Sequence, residues 1–115
     1  MSKTNKLTMN TDISTPEKQN LQELLNFQNG SVVSSVILKK PTGNITVFAF
    51  DEGEGLSEHT TPFDALIYII EGTAEITISS KINTLSKGEM ILLPANQPHA
   101  LKAITKYKMM LVMLK

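Results

Sequence analysis

Residues 57–72 read SEHTTPFDALIYIIEG, and this stretch decides the fold. It holds one of the chain's two histidines, His59, then Asp64, and then an unbroken apolar run that ends on a Glu-Gly turn. A second stretch, residues 88–99, reads GEMILLPANQPH and carries the other histidine, His99. Both combine a short apolar run with turn-forming Gly or Pro, which predicts buried β-strands next to loops.

The same pattern extends over most of the chain. Turn signals recur roughly every 8–12 residues, a spacing typical of an all-β sandwich or barrel. A jelly-roll barrel removes most strand edges and leaves an interior that can hold a small ligand. The predicted strands cover residues 31–39, 44–50, 56–61, 65–70, 73–79, 82–85, 90–93, 99–104 and 107–114.

The N-terminal part differs from the rest. Residues 1–13 are polar, and we expect a flexible terminus there. Thr15 and Pro16 form a helix-start signal, and the leucines at positions 21, 24 and 25 share one helical face. We therefore predict one short helix over residues 15–29, within a single domain over residues 14–115 whose barrel spans residues 31–115.

Composition excludes several classes of function. The chain has 115 residues and no cysteine, so disulfides and thiolate chemistry are absent. Its eleven basic residues are all Lys and balance eleven acidic ones, which gives no basic surface for nucleic acid. The apolar runs are too short to span a membrane. The N-terminus resembles a cytoplasmic start rather than a signal peptide, and we expect a cytoplasmic protein.

The first stretch resembles the first motif of the cupin family, in its small, single-domain, RmlC-like form. That motif runs G-x5-H-x-H, three or four residues, E, six residues, G. Here Gly53 is followed after five residues by His59, and Thr61 stands in the place of the second His. Ala65 stands in the place of the Glu, and Gly72 closes the motif.

The second stretch is similar to the second cupin motif, G-x5-P-x-G-x2-H-x3-N. Gly88, Pro94 and His99 are in register with it. Asn96 occupies the glycine position and Ala103 the asparagine position. The resemblance implies a jelly-roll barrel whose mouth holds a metal bound by three His and one Glu, of which this chain keeps two ligands.

From the resemblance we expect His59, Thr61, Ala65 and His99 to line the pocket. Residues 59 and 61 are two apart on a predicted strand, so their side chains should share a face. The two histidines are candidate ligands for a divalent metal such as Zn, Fe, Mn, Ni or Cu. Without a carboxylate the site is weak, and the alternative is a pair of hydrogen-bonded pocket histidines.

Three further residues each allow two interpretations, one as a metal ligand and one as a structural residue. Asp64 adjoins the position of the missing Glu, and a bulge could turn it inward as a third ligand. As the structural alternative, it is a turn residue that hydrogen-bonds backbone. Met109 and Met113 share a face of the last predicted strand and could offer thioethers to Cu(I), although core filling is the preferred interpretation.

Three functions follow as hypotheses. We rank first a module that binds a small molecule, with the metal site partly lost. The alternative is a divalent-metal-dependent enzyme resembling cupin dioxygenases, isomerases or decarboxylases and using His59 and His99, or a metal-free isomerase using the pair as acid and base. The third is a purely structural role. We expect a homodimer, since small cupins commonly dimerise.

Overall fold

The computed structural model describes residues 16–115, which form two antiparallel β-sheets packed face to face. The predicted all-β jelly roll is confirmed, whereas residues 1–13 and the helix cap Thr15 lie outside the described residues. The nine strands of residues 16–115 are β1 Val32–Lys40, β2 Gly43–Phe50, β3 Gly55–His59, β4 Asp64–Glu71, β5 Thr73–Ile78, β6 Lys81–Ser86, β7 Met90–Leu93, β8 His99–Ala103 and β9 Tyr107–Leu114.

The strands divide unequally between the sheets. One sheet has five strands in the order β1-β2-β9-β4-β7, and the other has four in the order β3-β8-β5-β6. β9 lies at the centre of the larger sheet and pairs antiparallel with β2 and β4. In the smaller sheet β8 pairs with β3 and β5. The two histidine-bearing strands, β3 and β8, are therefore neighbours.

The core lies between the two sheets. Because side chains alternate along a strand, every second residue of each strand points into this space. Phe50, Ile67, Ile76 and Tyr107 are completely buried there. The rings of Phe50 and Tyr107 stack with centroids 4.5 Å apart and planes 8° from parallel. This packing closes one part of the interior and leaves a cavity elsewhere.

A glycine allows the chain to pass from one sheet to the other. Gly72 stands between β4 and β5 with a φ of +82°, a region that side-chain-bearing residues seldom adopt. A Cβ atom at this position would also collide with the carbonyl oxygen of Lys106. Position 72 is therefore restricted to glycine for steric reasons.

The predicted N-terminal helix is much shorter than expected. Within the described residues, the segment predicted over 15–29 contains one 3-10 turn, Leu21–Glu23, so the predicted extent was wrong. After the turn Leu25 is buried, Asn26 exposed and Phe27 half-buried, and no helix or strand is formed before β1. The leucines still cover the outer face of the five-stranded sheet.

Residues 16–115 contain no helix long and apolar enough to cross a membrane.

Candidate functional site

The two histidines face each other across neighbouring strands. His59, the last residue of β3, is the direct pairing partner of His99, the first residue of β8. Their ring centroids lie 4.3 Å apart with the planes at 68°, and the two Nε2 atoms are 3.1 Å apart. Pairing between β3 and β8 is irregular between Leu56 and His59, so this cross-strand pair follows a local break in the ladder.

Backbone carbonyls determine where the ring protons lie. The Nδ1 of His59 is 2.7 Å from the carbonyl oxygen of Ser57, and the Nδ1 of His99 is 3.1 Å from that of Gln97. A carbonyl oxygen can only accept, so in each neutral ring Nδ1 carries the proton and donates it. Each Nε2 is then a bare lone pair, and the two lone pairs converge.

Two lone pairs at 3.1 Å repel unless something lies between them. A third proton could bridge the rings, which would give the pair one positive charge. Burial opposes this at His99, whose side chain is almost fully enclosed, and lowers its pKa. The Gln97 carbonyl acts in the opposite direction, and the charge of His59 lowers the pKa further. The Nε2–Nε2 separation is within hydrogen-bonding range, so the space between the two lone pairs suits either a shared proton or the donor group of a ligand.

A cavity of about 120 Å³ adjoins the pair. All four residues predicted for the pocket, His59, Thr61, Ala65 and His99, line it. Thr61 lies two residues beyond the end of β3 rather than on the strand, and its hydroxyl oxygen accepts from the Phe63 N–H at 3.3 Å. His59 is exposed and His99 is buried, so the histidine pair extends from the protein surface into the interior.

The acidic residues near the motif do not join the histidines. Asp64 is outside the cavity lining, and its Oδ1 accepts a hydrogen bond from the Ala95 N–H at 2.9 Å. Glu58 is exposed and is also outside the lining. Across residues 16–115, no three side chains among His, Cys, Asp and Glu are grouped where they could hold a metal ion.

The donor set does not fit the divalent metal that the resemblance implies. Two imidazoles, one engaged hydroxyl and one methyl group stand at the four ligand positions. Catalytic metal sites usually have three protein ligands, whereas only two of these four positions hold an imidazole and neither of the other two holds a carboxylate. No reaction step at such a metal can therefore be built from these residues.

Most of the remaining lining is apolar and includes residues that the sequence reasoning did not assign to the pocket. Strand parity could have identified several of them, because Ile67 has the parity of Ala65 and Leu101 that of His99. The methionines had been interpreted as core filling. The additional lining residues are Leu56, Ile67, Leu93, Leu101, Met109, Leu111 and Met113.

Several known structures share this architecture. A conserved protein of unknown function from Streptococcus pyogenes is 32% identical, with a TM-score of 0.83, and the match covers 88% of this chain and 89% of that one. A cupin 2 conserved barrel domain protein from Leptotrichia buccalis is 36% identical, with a TM-score of 0.81, over 84% of this chain and 47% of that one.

A third structure extends the comparison. A cupin superfamily protein from Desulfitobacterium hafniense is 27% identical, with a TM-score of 0.81, over 86% of this chain and 93% of that one. A search of curated protein sequences found no match. The family model described as "Cupin domain" matches residues 46–115, which include both histidines and all the cavity-lining residues. The chain therefore belongs to the cupin family.

Proposed function

We propose that this cupin binds a small, mostly apolar molecule in its central cavity and holds the polar end of that molecule with His59 and His99. The observation that carries the proposal is the convergence of the two Nε2 atoms, 3.1 Å apart, with both Nδ1 atoms engaged by backbone carbonyls. Two such acceptors aimed at one point, beside an apolar cavity, match the usual design of a ligand pocket.

The cavity volume supports a ligand of modest size. An apolar cavity of about 150 Å³ in another protein holds benzene. The cavity here measures about 120 Å³ and connects to the exposed His59. A single ring or a short branched chain fits this space, with its polar group at the histidines.

The lining also supports a particular chemistry for the ligand. Among residues 16–115, no Asp, Glu or Lys lines the cavity, so an ionic ligand would lose its hydration without gaining a fixed counter-charge from them. The Nε2 atoms accept hydrogen bonds, so the matching group is an O–H or N–H donor. A neutral alcohol, phenol or enol on an apolar body is therefore the ligand class that we propose.

Matched fragments test this proposal. Phenol and toluene have nearly the same shape, and only phenol offers a donor, so phenol should bind more tightly by about 2- to 10-fold, the effect of one hydrogen bond. Affinity would be measured by chemical-shift titration. In His59→Ala and His99→Ala the preference should disappear.

Glu58→Ala is the matched control, because it alters the same strand outside the cavity lining and should preserve the preference. The proposal fails if neither fragment perturbs the cavity residues. It also fails if wild type and both histidine variants bind the two fragments equally.

The divalent-metal-dependent enzyme ranks second. The converging Nε2 atoms favour it, but within residues 16–115 no carboxylate completes the ligand set, and Asp64 accepts a hydrogen bond from the Ala95 N–H instead. The proposed binding function needs only the groups that line the cavity, and we prefer it for that reason.

A further inference from the structure

Strained backbone is found around the loop of residues 94–98, which joins β7 to β8. Among residues 16–115, the residues other than glycine with a positive φ are Ser79 at 48°, Ser80 at 70° and Asn96 at 68°. Asn96 belongs to this loop, and the two serines form the turn between β5 and β6. The Ser79 N–H donates to the Pro98 carbonyl at 2.9 Å, so the strained turn lies against the loop. Such conformations persist only where the surrounding structure holds them, and they are concentrated at functional sites.

The loop is also attached to the segment that precedes β4. The Ala95 N–H donates to the Asp64 carboxylate at 2.9 Å. The next N–H along the chain, that of Asn96, donates to the Thr61 carbonyl at 2.7 Å. Because Asp64 acts through its side chain, a substitution can break this attachment and leave the backbone ones in place.

The loop carries the carbonyl group that fixes the proton of His99. The Gln97 carbonyl oxygen accepts from the Nδ1 of His99 at 3.1 Å, two residues along the chain from the Ala95 attachment. The hydrogen bond that one ring nitrogen makes sets which nitrogen bears the proton. If this carbonyl turned away, the proton could reside on Nε2 and be donated to the Nε2 of His59, 3.1 Å distant. The two histidines would then satisfy each other and close the position for a ligand.

We propose that Asp64 is a positioning residue for the histidine pair. It holds the loop so that the Gln97 carbonyl keeps the proton of His99 on Nδ1 and both Nε2 atoms stay free to accept from a ligand. Asp64 is outside the cavity lining, so it acts on the ligand through the loop. The strained Asn96 fits this role, because a strained loop keeps its shape only while it is held. The inference deepens the proposed binding function and rests on it.

Two substitutions at position 64 test the proposal in the full chain. The amide oxygen of Asp64→Asn can still accept from the Ala95 N–H, whereas Asp64→Ala offers no acceptor. Asp64 is exposed, so both variants should fold. At about pH 8, the ring nitrogen-15 shifts of His99 should move toward the form protonated on Nε2 in Asp64→Ala and stay at wild-type values in Asp64→Asn. The preference for phenol over toluene should fall at least about twofold in Asp64→Ala alone.

Glu89→Ala is the matched control. The Glu89 carboxylate accepts from the Ser86 N–H at 2.8 Å, in the turn at the opposite end of β7 from the loop. The control therefore loses the same kind of hydrogen bond, and urea unfolding should show a comparable loss of stability. The ring nitrogen shifts of His99 and the phenol preference should nevertheless stay at wild-type values.

The ring nitrogen shifts decide the role of Asp64 without any ligand. Unchanged His99 shifts in Asp64→Ala would overturn the inference, and so would equal changes in Glu89→Ala. Changes in Asp64→Asn as large as those in Asp64→Ala would overturn it as well, because the hydrogen bond would then not be the cause. Equal binding of phenol and toluene by wild type would instead refute the proposed binding function.

Discussion

Filling the cavity should separate binding from stability. Ala65 lines the cavity, and Ala65→Leu adds three carbon atoms facing a space of about 120 Å³. Burying them contributes about 2.4 kcal/mol at about 0.8 kcal/mol per carbon, and ordering the leucine costs about 0.5–1 kcal/mol. We therefore expect the free energy of unfolding to rise by about 1.5–2 kcal/mol while phenol binding is lost.

Urea unfolding at neutral pH measures the first effect, and chemical-shift titration with phenol measures the second. Ala74→Leu is the matched control, because Ala74 is completely buried in the same core but is not part of the cavity lining. That variant should lose about 1–3 kcal/mol through overpacking. If Ala65→Leu is destabilised as much as Ala74→Leu, no ligand-sized space exists beside the histidines and the reasoning is refuted.

Four further predictions follow. Burial lowers the pKa of His99 from its ordinary value of 6.5, so the unfolded chain binds a proton more readily than the folded protein does. The free energy of unfolding should therefore fall as the pH drops below 6.5. Unfolding curves of the His99→Gln variant should lack this pH-dependent component. Thr61→His combined with Ala65→Glu should restore four ligands and raise Zn(II) affinity at least about tenfold by calorimetry, and unchanged affinity would argue against the inferred ligand positions. Lys108→Ala should cost about 1–3 kcal/mol in urea unfolding, because the buried ammonium group donates to the Gln22 carbonyl, and a change below about 0.5 kcal/mol would show that this contact is dispensable. Sedimentation at micromolar concentration should show the expected homodimer, and a monomer there would contradict that expectation.

The strand positions could be predicted because their signals are local. Turn residues and alternating apolar residues mark each strand wherever its partners lie. The helix prediction failed because leucines at positions 21, 24 and 25 can pack on the sheet from more than one backbone conformation. The 3-10 turn and the irregular segment after it bring Leu25 and Phe27 onto the sheet as well as a helix would. Only the packing of the sheet beneath them selects between the two.

The site could be predicted in part. Motif spacing indicated His59, Thr61, Ala65 and His99, and the structure places all four around one cavity. Their geometry depends on the pairing of β3 with β8, which is a contact between residues about forty positions apart. The proton positions on the rings depend in turn on backbone carbonyls whose directions no local pattern encodes. The position of Met113 opposite Ala65 likewise arises only from the register of β9 against β4.

The central claim is that both Nε2 atoms are bare and converge on a shared ligand position. Long-range proton–nitrogen correlation spectra of nitrogen-15-labelled protein test it most directly, since the chain has two histidines and hence two ring systems to assign. At about pH 8, well above the ordinary histidine pKa, both rings should carry their proton on Nδ1 and none on Nε2. A proton on the Nε2 of either ring would contradict the account, because that nitrogen could not then act as an acceptor or a metal ligand.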